Sequence, residues 1–314
     1  MRTIKPKKLK KNGVIGIISP ASSPEDITQI EKGVRYLERL GYRTKIGKNV
    51  GKSSGYLAGS DEERVKDLHE MFKDKIVDAI ICVRGGYGAF RILDLIDYKI
   101  IKNNPKIFVG FSEITALQIA ILQKTGLITF AGPMLASNLS GKISSFTEDH
   151  FWKSITSNKK AGRIKLPNNS KLPGINKGNA SGRIIGGNLA VFGALFGTEY
   201  FPNDLKNKIL LLEDIGEVPY KIDRLMNQLR LAKVFKKING MILGRFVDCY
   251  EHDPSKNTLT LGEVMDNYLN RLSVPIVYTF PHGHIEDMVT VPIGINVKLN
   301  ATKGFVEFNE SGVK

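Results

Sequence analysis

Short apolar runs alternate with amphipathic stretches through the first 135 residues. Val14 to Ile18 is apolar at nearly every position, the pattern of a strand buried on both faces. Ile27, Ile30, Val34 and Leu37 then recur at helical spacing. Ser23 is the predicted N-cap of that helix, with Pro24 in its first position, Asp26 closing a capping box and Gly41 just past its end. A short strand follows at Arg43 to Ile46. Ser60 and Glu63 form a second capping box, ahead of a helix carrying Val65, Leu68 and Phe72 on one face. Buried strands are predicted at Ala79 to Val83 and at Ile107 to Val109. A helix from Glu113 to Lys124 stops at Gly126, and Leu127 to Phe130 resumes as a strand. Strands and helices alternating at this spacing predict a doubly wound parallel α/β sheet of the flavodoxin or Rossmann kind.

Residues 137–182 change character. They are rich in Ser, Asn, Lys, Gly and Pro, and read as a linker with one helix around Glu148 to Ile155. Residues 183–314 mix helices (Asn188 to Phe196, Pro219 to Ala232, Leu261 to Leu272) with strands (Ile209 to Leu212, Met241 to Phe246, Ile276 to Phe280) and end in β-like segments from Val289 to Phe308. The expected organisation is an α/β domain over 1–136, the linker, and a smaller β-rich domain over 183–314.

Composition narrows the class. A chain of 314 residues with 42% hydrophobic and 25% charged content builds ordinary globular cores. It has no apolar run long enough for a membrane helix, and no apolar segment behind the basic start that would serve as a signal peptide. Cys82 and Cys249 each sit in an apolar run, so a cytoplasmic protein without disulfides, structural metal or cofactor is expected. The net charge of +15 is spread along the chain, dense only from Lys5 to Lys11, and lacks the basic-aromatic interleaving that stacks bases. A lysine-rich surface is therefore expected, with neither nucleic acid nor membrane as partner.

Four stretches carry candidate chemistry. In Gly110-Phe111-Ser112-Glu113 an apolar strand ends in a serine and a helix starts at once, the shape of a nucleophile elbow; the bland alternative is a serine N-cap. Arg84-Gly85-Gly86-Tyr87-Gly88 follows another strand, and either offers N–H groups to an anion or is a tight turn that needs glycine. His282 and His284 flank Gly283 after the apolar run ending at Phe280, whereas His69, His150 and His252 fall in surface-like surroundings. H-x-H spacing also suits a metal, but no third ligand supports it. Glu213 interrupts the apolar run Leu210-Leu211-Leu212, where a carboxylate needs a partner unless it merely ends the strand; Asp214 and Glu217 read as solvated.

These stretches, together with Ile17-Ile18-Ser19-Pro20-Ala21-Ser22, Tyr56-Leu57-Ala58-Gly59, Gly186-Gly187-Asn188-Leu189, Glu217-Val218-Pro219-Tyr220 with Asp223-Arg224, and Val291-Pro292-Ile293-Gly294, resemble the LD-carboxypeptidase family of serine peptidases, in the family's order and over nearly the whole chain. The resemblance implies a nucleophile Ser112, a base His284 and an orienting acid Glu213, in an active site between two domains. It further implies oxyanion donors in the N–H groups of Glu113 and Gly86, and a substrate-binding role for Arg84 and Gly85. The implied reaction is removal of the C-terminal D-alanine from a murein tetrapeptide during cell-wall peptide recycling, by a cytoplasmic homodimer. Glu113 departs from the family's usual aspartate after the serine, leaving the N–H in place but lengthening the side chain. Two other readings remain. One is an amidase of the same fold, of the microcin-immunity type, that cleaves peptidyl or aminoacyl nucleotides and needs aromatic residues for base stacking, of which only Trp152 is evident. The other is a non-catalytic muropeptide-binding module.

Overall fold

In the computed structural model, which describes residues 2–167 and 170–314, the chain forms two compact units. The first comprises Met1–Lys159, Val289–Gly294 and Ser311–Lys314; the second comprises Lys160–Met288 and Ile295–Glu310.

The first unit holds five parallel strands, β1 (Val14–Ile18), β2 (Arg43–Ile46), β3 (Val77–Cys82), β4 (Ile107–Gly110) and β5 (Thr129–Ala131), in the order 2-1-3-4-5. A sixth strand, β12 (Val291–Ile293), adds antiparallel to β5. The helices are α1 (Thr28–Arg39), α2 (Asp61–Lys73), α3 (Tyr98–Asn103), α4 (Thr115–Thr125) and α5 (Ser145–Thr156). The strand order reverses at β1, so right-handed crossovers put helices on both faces, which is the doubly wound arrangement expected. Because the five strands are parallel, the loops after β1, β3 and β4 all leave from one end of the sheet, where such folds hold their ligands.

Local signals place most of these elements. The Ser60–Glu63 capping box forms in full, and α4 stops at Gly126 in the left-handed conformation, φ 79°. The cap expected at Ser23 does not form. The Ser23 hydroxyl donates to Lys52 O, Asp26 Oδ1 accepts the Thr28 N–H at 2.9 Å, and α1 begins only at Thr28. Its buried face is Ile30, Gly33, Tyr36 and Leu37, while Ile27 is exposed. Gly33 matters here, because a Cβ on it would lie 2.6 Å from Leu135 Cγ.

The second unit is one mixed sheet of β6 (Gly162–Arg163), β7 (Gly174–Ile175), β8 (Asn179–Asn188), β9 (Lys208–Ile215), β10 (Gly240–Val247), β11 (Ile276–Val277), β13 (Asn296–Asn300) and β14 (Phe305–Phe308). Their order is 6-14-13-8-9-10-11-7, with β8 to β11 parallel and the flanking strands antiparallel. Helices α6 (Leu189–Ala194), α7 (Pro219–Leu231) and α8 (Leu261–Leu269) complete it. Residues 137–182 contribute to both units, through α5 in the first and through β6, β7 and the start of β8 in the second. No described helix is long and apolar enough to cross a membrane.

Candidate active site

In the first unit β4 ends at Gly110, Phe111 is extended, and Ser112 takes φ 61°, a left-handed conformation uncommon for a residue with a Cβ. A short 3-10 turn, Ser112–Ile114, then feeds α4. Such a backbone costs on the order of 1–3 kcal/mol and persists only where its surroundings hold it. Here they do. A Cβ on Gly110 would meet Ile114 Cγ2 at 2.8 Å, so only glycine lets the strand turn this sharply. Gly110 O accepts from both the Gln118 side chain at 3.0 Å and the Gly132 N–H at 3.2 Å.

The loop after β3 lies against this elbow. A methyl group on Gly85 would sit 3.2 Å from Ser112 Oγ and 3.4 Å from the Glu113 N, so the glycine leaves room in front of the hydroxyl. Gly86 takes φ 98°, and its own Cβ would fall 2.4 Å from Ser22 Oγ. Ser22, from the loop after β1, holds the turn: its N–H donates to Gly85 O at 3.2 Å, and its hydroxyl accepts the Tyr87 N–H at 3.0 Å. Among the described residues the N–H groups of Glu113 and Gly86 have no protein acceptor, whereas backbone donors near a site like this are normally satisfied. Two unengaged N–H groups beside a strained serine are the parts an oxyanion requires. Arg84 is half-buried and donates from Nη1 to Ser23 O at 3.2 Å, so one arm of its guanidinium anchors the same loop.

The side chain of Glu113 has a task the sequence did not disclose. It is buried, and its Oε1 accepts the N–H groups of Gly88 and Ala89, each at 2.8 Å. Burial raises its carboxyl, opposed by those backbone hydrogen bonds. The buried Arg64 guanidinium supports the same turn by donating to Gly88 O and Pro20 O, both at 2.7 Å. Elbow and glycine loop are thus tied by one carboxylate. Glu113→Ala should therefore lower kcat by about 10- to 100-fold through displacement of the loop, whereas Glu113→Gln, which keeps an acceptor oxygen, should retain most of it. Steady-state kinetics of the two variants check this, and equal losses would contradict it.

In the second unit Glu213, 1% exposed near the end of β9, places Oε2 2.9 Å from His284 Nδ1. With the proton on Nδ1 donated to the carboxylate, Nε2 carries the basic lone pair. Two glycines make the pairing possible. A Cβ on Gly283 (φ 123°) would lie 2.8 Å from Glu213 Oε2, and one on Gly244 would lie 3.0 Å from Glu213 Cβ. The remaining histidines are placed differently: His282 is buried, His69 Nε2 accepts the Asp97 N–H at 2.9 Å, and His252 is an exposed partner of Asp248. The structure thus gathers Ser112, Glu113, Gly85, Gly86 and Arg84 in the first unit, and Glu213 with His284 in the second.

Residues 15–132 match the model of the LD-carboxypeptidase N-terminal domain, and residues 181–299 match that of the LD-carboxypeptidase C-terminal domain. The chain belongs to the LD-carboxypeptidase family. With the family comes the enzyme class, a serine carboxypeptidase. A probable murein peptide carboxypeptidase of Bacillus subtilis (strain 168) is 37% identical over 95% of this chain and 92% of its own. The solved muramoyltetrapeptide carboxypeptidase from Oxalobacter formigenes superposes with a TM-score of 0.82 at 29% identity, covering 94% of this chain and 97% of that one. The microcin C7 self-immunity protein MccF of Escherichia coli is 30% identical over 91% of this chain and 90% of its own. A structure of MccF with aspartyl sulfamoyl adenosine reaches a TM-score of 0.90 at 28% identity, over 99% of this chain and 100% of that one.

Two features of this LD-carboxypeptidase differ from what its sequence suggested. Asp214, expected to be solvated, is 2% exposed; it accepts from Asn188 Nδ2 at 2.8 Å, the Ala190 N–H at 2.9 Å and the Ile215 N–H at 2.8 Å, fixing the start of α6 next to Glu213. Burial lifts its carboxyl from 3.8 to about 6, against the pull of those hydrogen bonds. A folded value above the unfolded one means that the folded state holds the proton more tightly, so this group's contribution to stability falls as pH rises from about 4 to about 6 and is level above that. Urea unfolding at pH 4 and pH 7 should show wild type losing up to about 3 kcal/mol relative to Asp214→Asn over that interval, and a constant difference would contradict the assignment. Trp152, the aromatic weighed for base stacking, is instead committed to packing: it stacks on Tyr42 at 4.9 Å and donates Nε1–H to Tyr36 at 2.9 Å. An exposed aromatic pair is formed by Tyr56, from the segment between β2 and α2, and Tyr87, next to Gly86; they are 67% and 49% exposed and meet edge to face at 5.2 Å.

Proposed function

We propose that the protein removes the C-terminal D-alanine from murein tetrapeptides by acyl transfer to Ser112. His284 takes the Ser112 proton and later delivers it to the departing D-alanine, while Glu213 holds the imidazole and favours its charged form. The N–H groups of Glu113 and Gly86 receive the oxyanion, and Arg84 with Gly85 binds the free carboxylate of the terminal residue. Water then hydrolyses the acyl-enzyme, and the protein acts as a cytoplasmic homodimer in cell-wall peptide recycling. The observation that supports this reading best is the left-handed Ser112 at a strand end beside two N–H groups without protein acceptors. A binding module would gain nothing from that strain.

The same machinery suits an amidase acting on aminoacyl nucleotides, and one observation favours it: Tyr87 of the glycine loop and Tyr56 against it offer exposed ring surface. Head-to-head kinetics decide between them. The peptide L-Ala-γ-D-Glu-X-D-Ala, with X either L-lysine or diaminopimelate, should exceed an aminoacyl sulfamoyl adenosine in kcat/KM by at least about tenfold. The reverse order would transfer the assignment to the nucleotide amide.

A further inference from the structure

From His150 to Thr198 the chain carries eight lysines and arginines and no aspartate or glutamate, although it has 31 acidic residues elsewhere. Part of that stretch forms one wall of a cleft of about 520 Å³ in the second unit, where residues 171–177 cross the turn between β13 and β14. Backbone contacts fix the crossing. The Leu172 N–H donates to Gly304 O at 3.0 Å, the Ala301 N–H to Gly178 O at 2.9 Å, and the Gly178 N–H to Thr302 Oγ1 at 2.9 Å. Gly174 is packed so closely that a Cβ on it would lie 2.1 Å from Ala301 O. The cleft is therefore set by main chain, and not by the accidental splay of long side chains.

Its charged lining consists of Arg163, Lys171, Lys177 and Lys303, without a carboxylate. All four are exposed, and none forms an ion pair among the described residues. Some lysines elsewhere on this surface pair with acids, among them Lys52 with Glu63 and Lys221 with Glu217. The Arg163 guanidinium is oriented over the Phe305 ring, 4.5 Å from its centroid. Four unpaired cations converging on a concave surface repel one another and focus a positive potential, which a multivalent anion relieves. Charges spread along an open cleft match repeated anionic groups better than a single carboxylate, and an oriented guanidinium matches a phosphate's paired oxygens. The Phe305 ring is covered by Arg163, so it offers no open platform to a nucleobase.

We propose that this cleft binds a linear chain of phosphate groups through Arg163, Lys171, Lys177 and Lys303, recognising the phosphates and nothing attached to them. The site is separate from the peptidase residues and does not rest on their assignment. Fluorescence anisotropy of the full chain with labelled short-chain inorganic polyphosphate tests it. Four phosphate contacts predict a slope of about −3 in log Kd-derived affinity against log salt. Lys171→Ala/Lys303→Ala should weaken binding by about tenfold or more, with a slope shallower by about 1.4 (two contacts at 0.7 each). Lys7→Ala/Lys8→Ala, which removes the same charge from two exposed side chains near the N-terminus, should change it by less than about twofold. Tetrapeptide turnover should be unaltered in both variants. Equal weakening by the two double variants would reduce the effect to net charge and overturn the proposal, as would absence of binding at low salt. Tighter binding of an oligothymidylate than of polyphosphate would overturn it in favour of nucleic acid.

Discussion

Ser112→Ala is expected to abolish tetrapeptide hydrolysis, with kcat lower by about 10⁶-fold and peptide binding within a few-fold of wild type. The hydroxyl is the only group in the proposed mechanism that forms a bond to the substrate, so no neighbour replaces it, and what remains is catalysis by the oxyanion donors and by binding alone. Alanine suits the site sterically, since it removes one atom and leaves the Gly85 turn in place. The strain at φ 61° persists in the variant, so the fold is expected to be retained with stability within about 1 kcal/mol. Single-turnover kinetics with circular dichroism as the folding control separate loss of chemistry from loss of structure. A kcat reduced by less than about tenfold would remove Ser112 from the mechanism.

Glu213→Gln is expected to lower kcat by about 10⁴-fold with KM little changed. The carboxylate accepts from His284 Nδ1 at 2.9 Å and so selects the tautomer whose Nε2 is basic. An amide is isosteric, but its NH2 can face the ring and move the proton to Nε2, which disables the base. It also withdraws the negative charge that favours the imidazolium formed during attack. Because Glu213 is 1% exposed, water does not substitute for that charge. Folding is expected to survive, since an amide is cheaper to bury than a carboxylate. A variant with undiminished kcat would show that the imidazole needs no orientation by Glu213.

The parts of this structure that were legible in sequence are those fixed by neighbours in the chain. Continuous apolar runs marked β1, β3, β4 and β9, and the Ser60–Glu63 pair closes within a single turn. The elbow at Ser112 was visible because strand, glycine, serine and helix are consecutive. Features set by distant contacts were not. The Glu113 carboxylate has no local partner in the sequence; Gly88 and Ala89, which donate to it, are 25 and 24 residues away. Asp214 finds its donors in Asn188 and Ala190, 26 and 24 residues away. Ser23 had a competing acceptor, Lys52 O, 29 residues along the chain, and a local capping rule has no access to that. The two-residue strands β6 and β7 are too short to show any period, so their stretch read as a linker. Pairing of serine, acid and histidine likewise rested on family resemblance, since 101 residues of chain separate Ser112 from Glu213 and 71 separate Glu213 from His284.

The decisive measurement of D-alanine release through Ser112 is mass spectrometry of L-Ala-γ-D-Glu-X-D-Ala incubated with the protein, with X either L-lysine or diaminopimelate and Ser112→Ala in parallel. A tripeptide lighter by one alanine residue, and free D-alanine, are expected with wild type only. An intact tetrapeptide after prolonged incubation with wild type, or equal cleavage by Ser112→Ala, would contradict it.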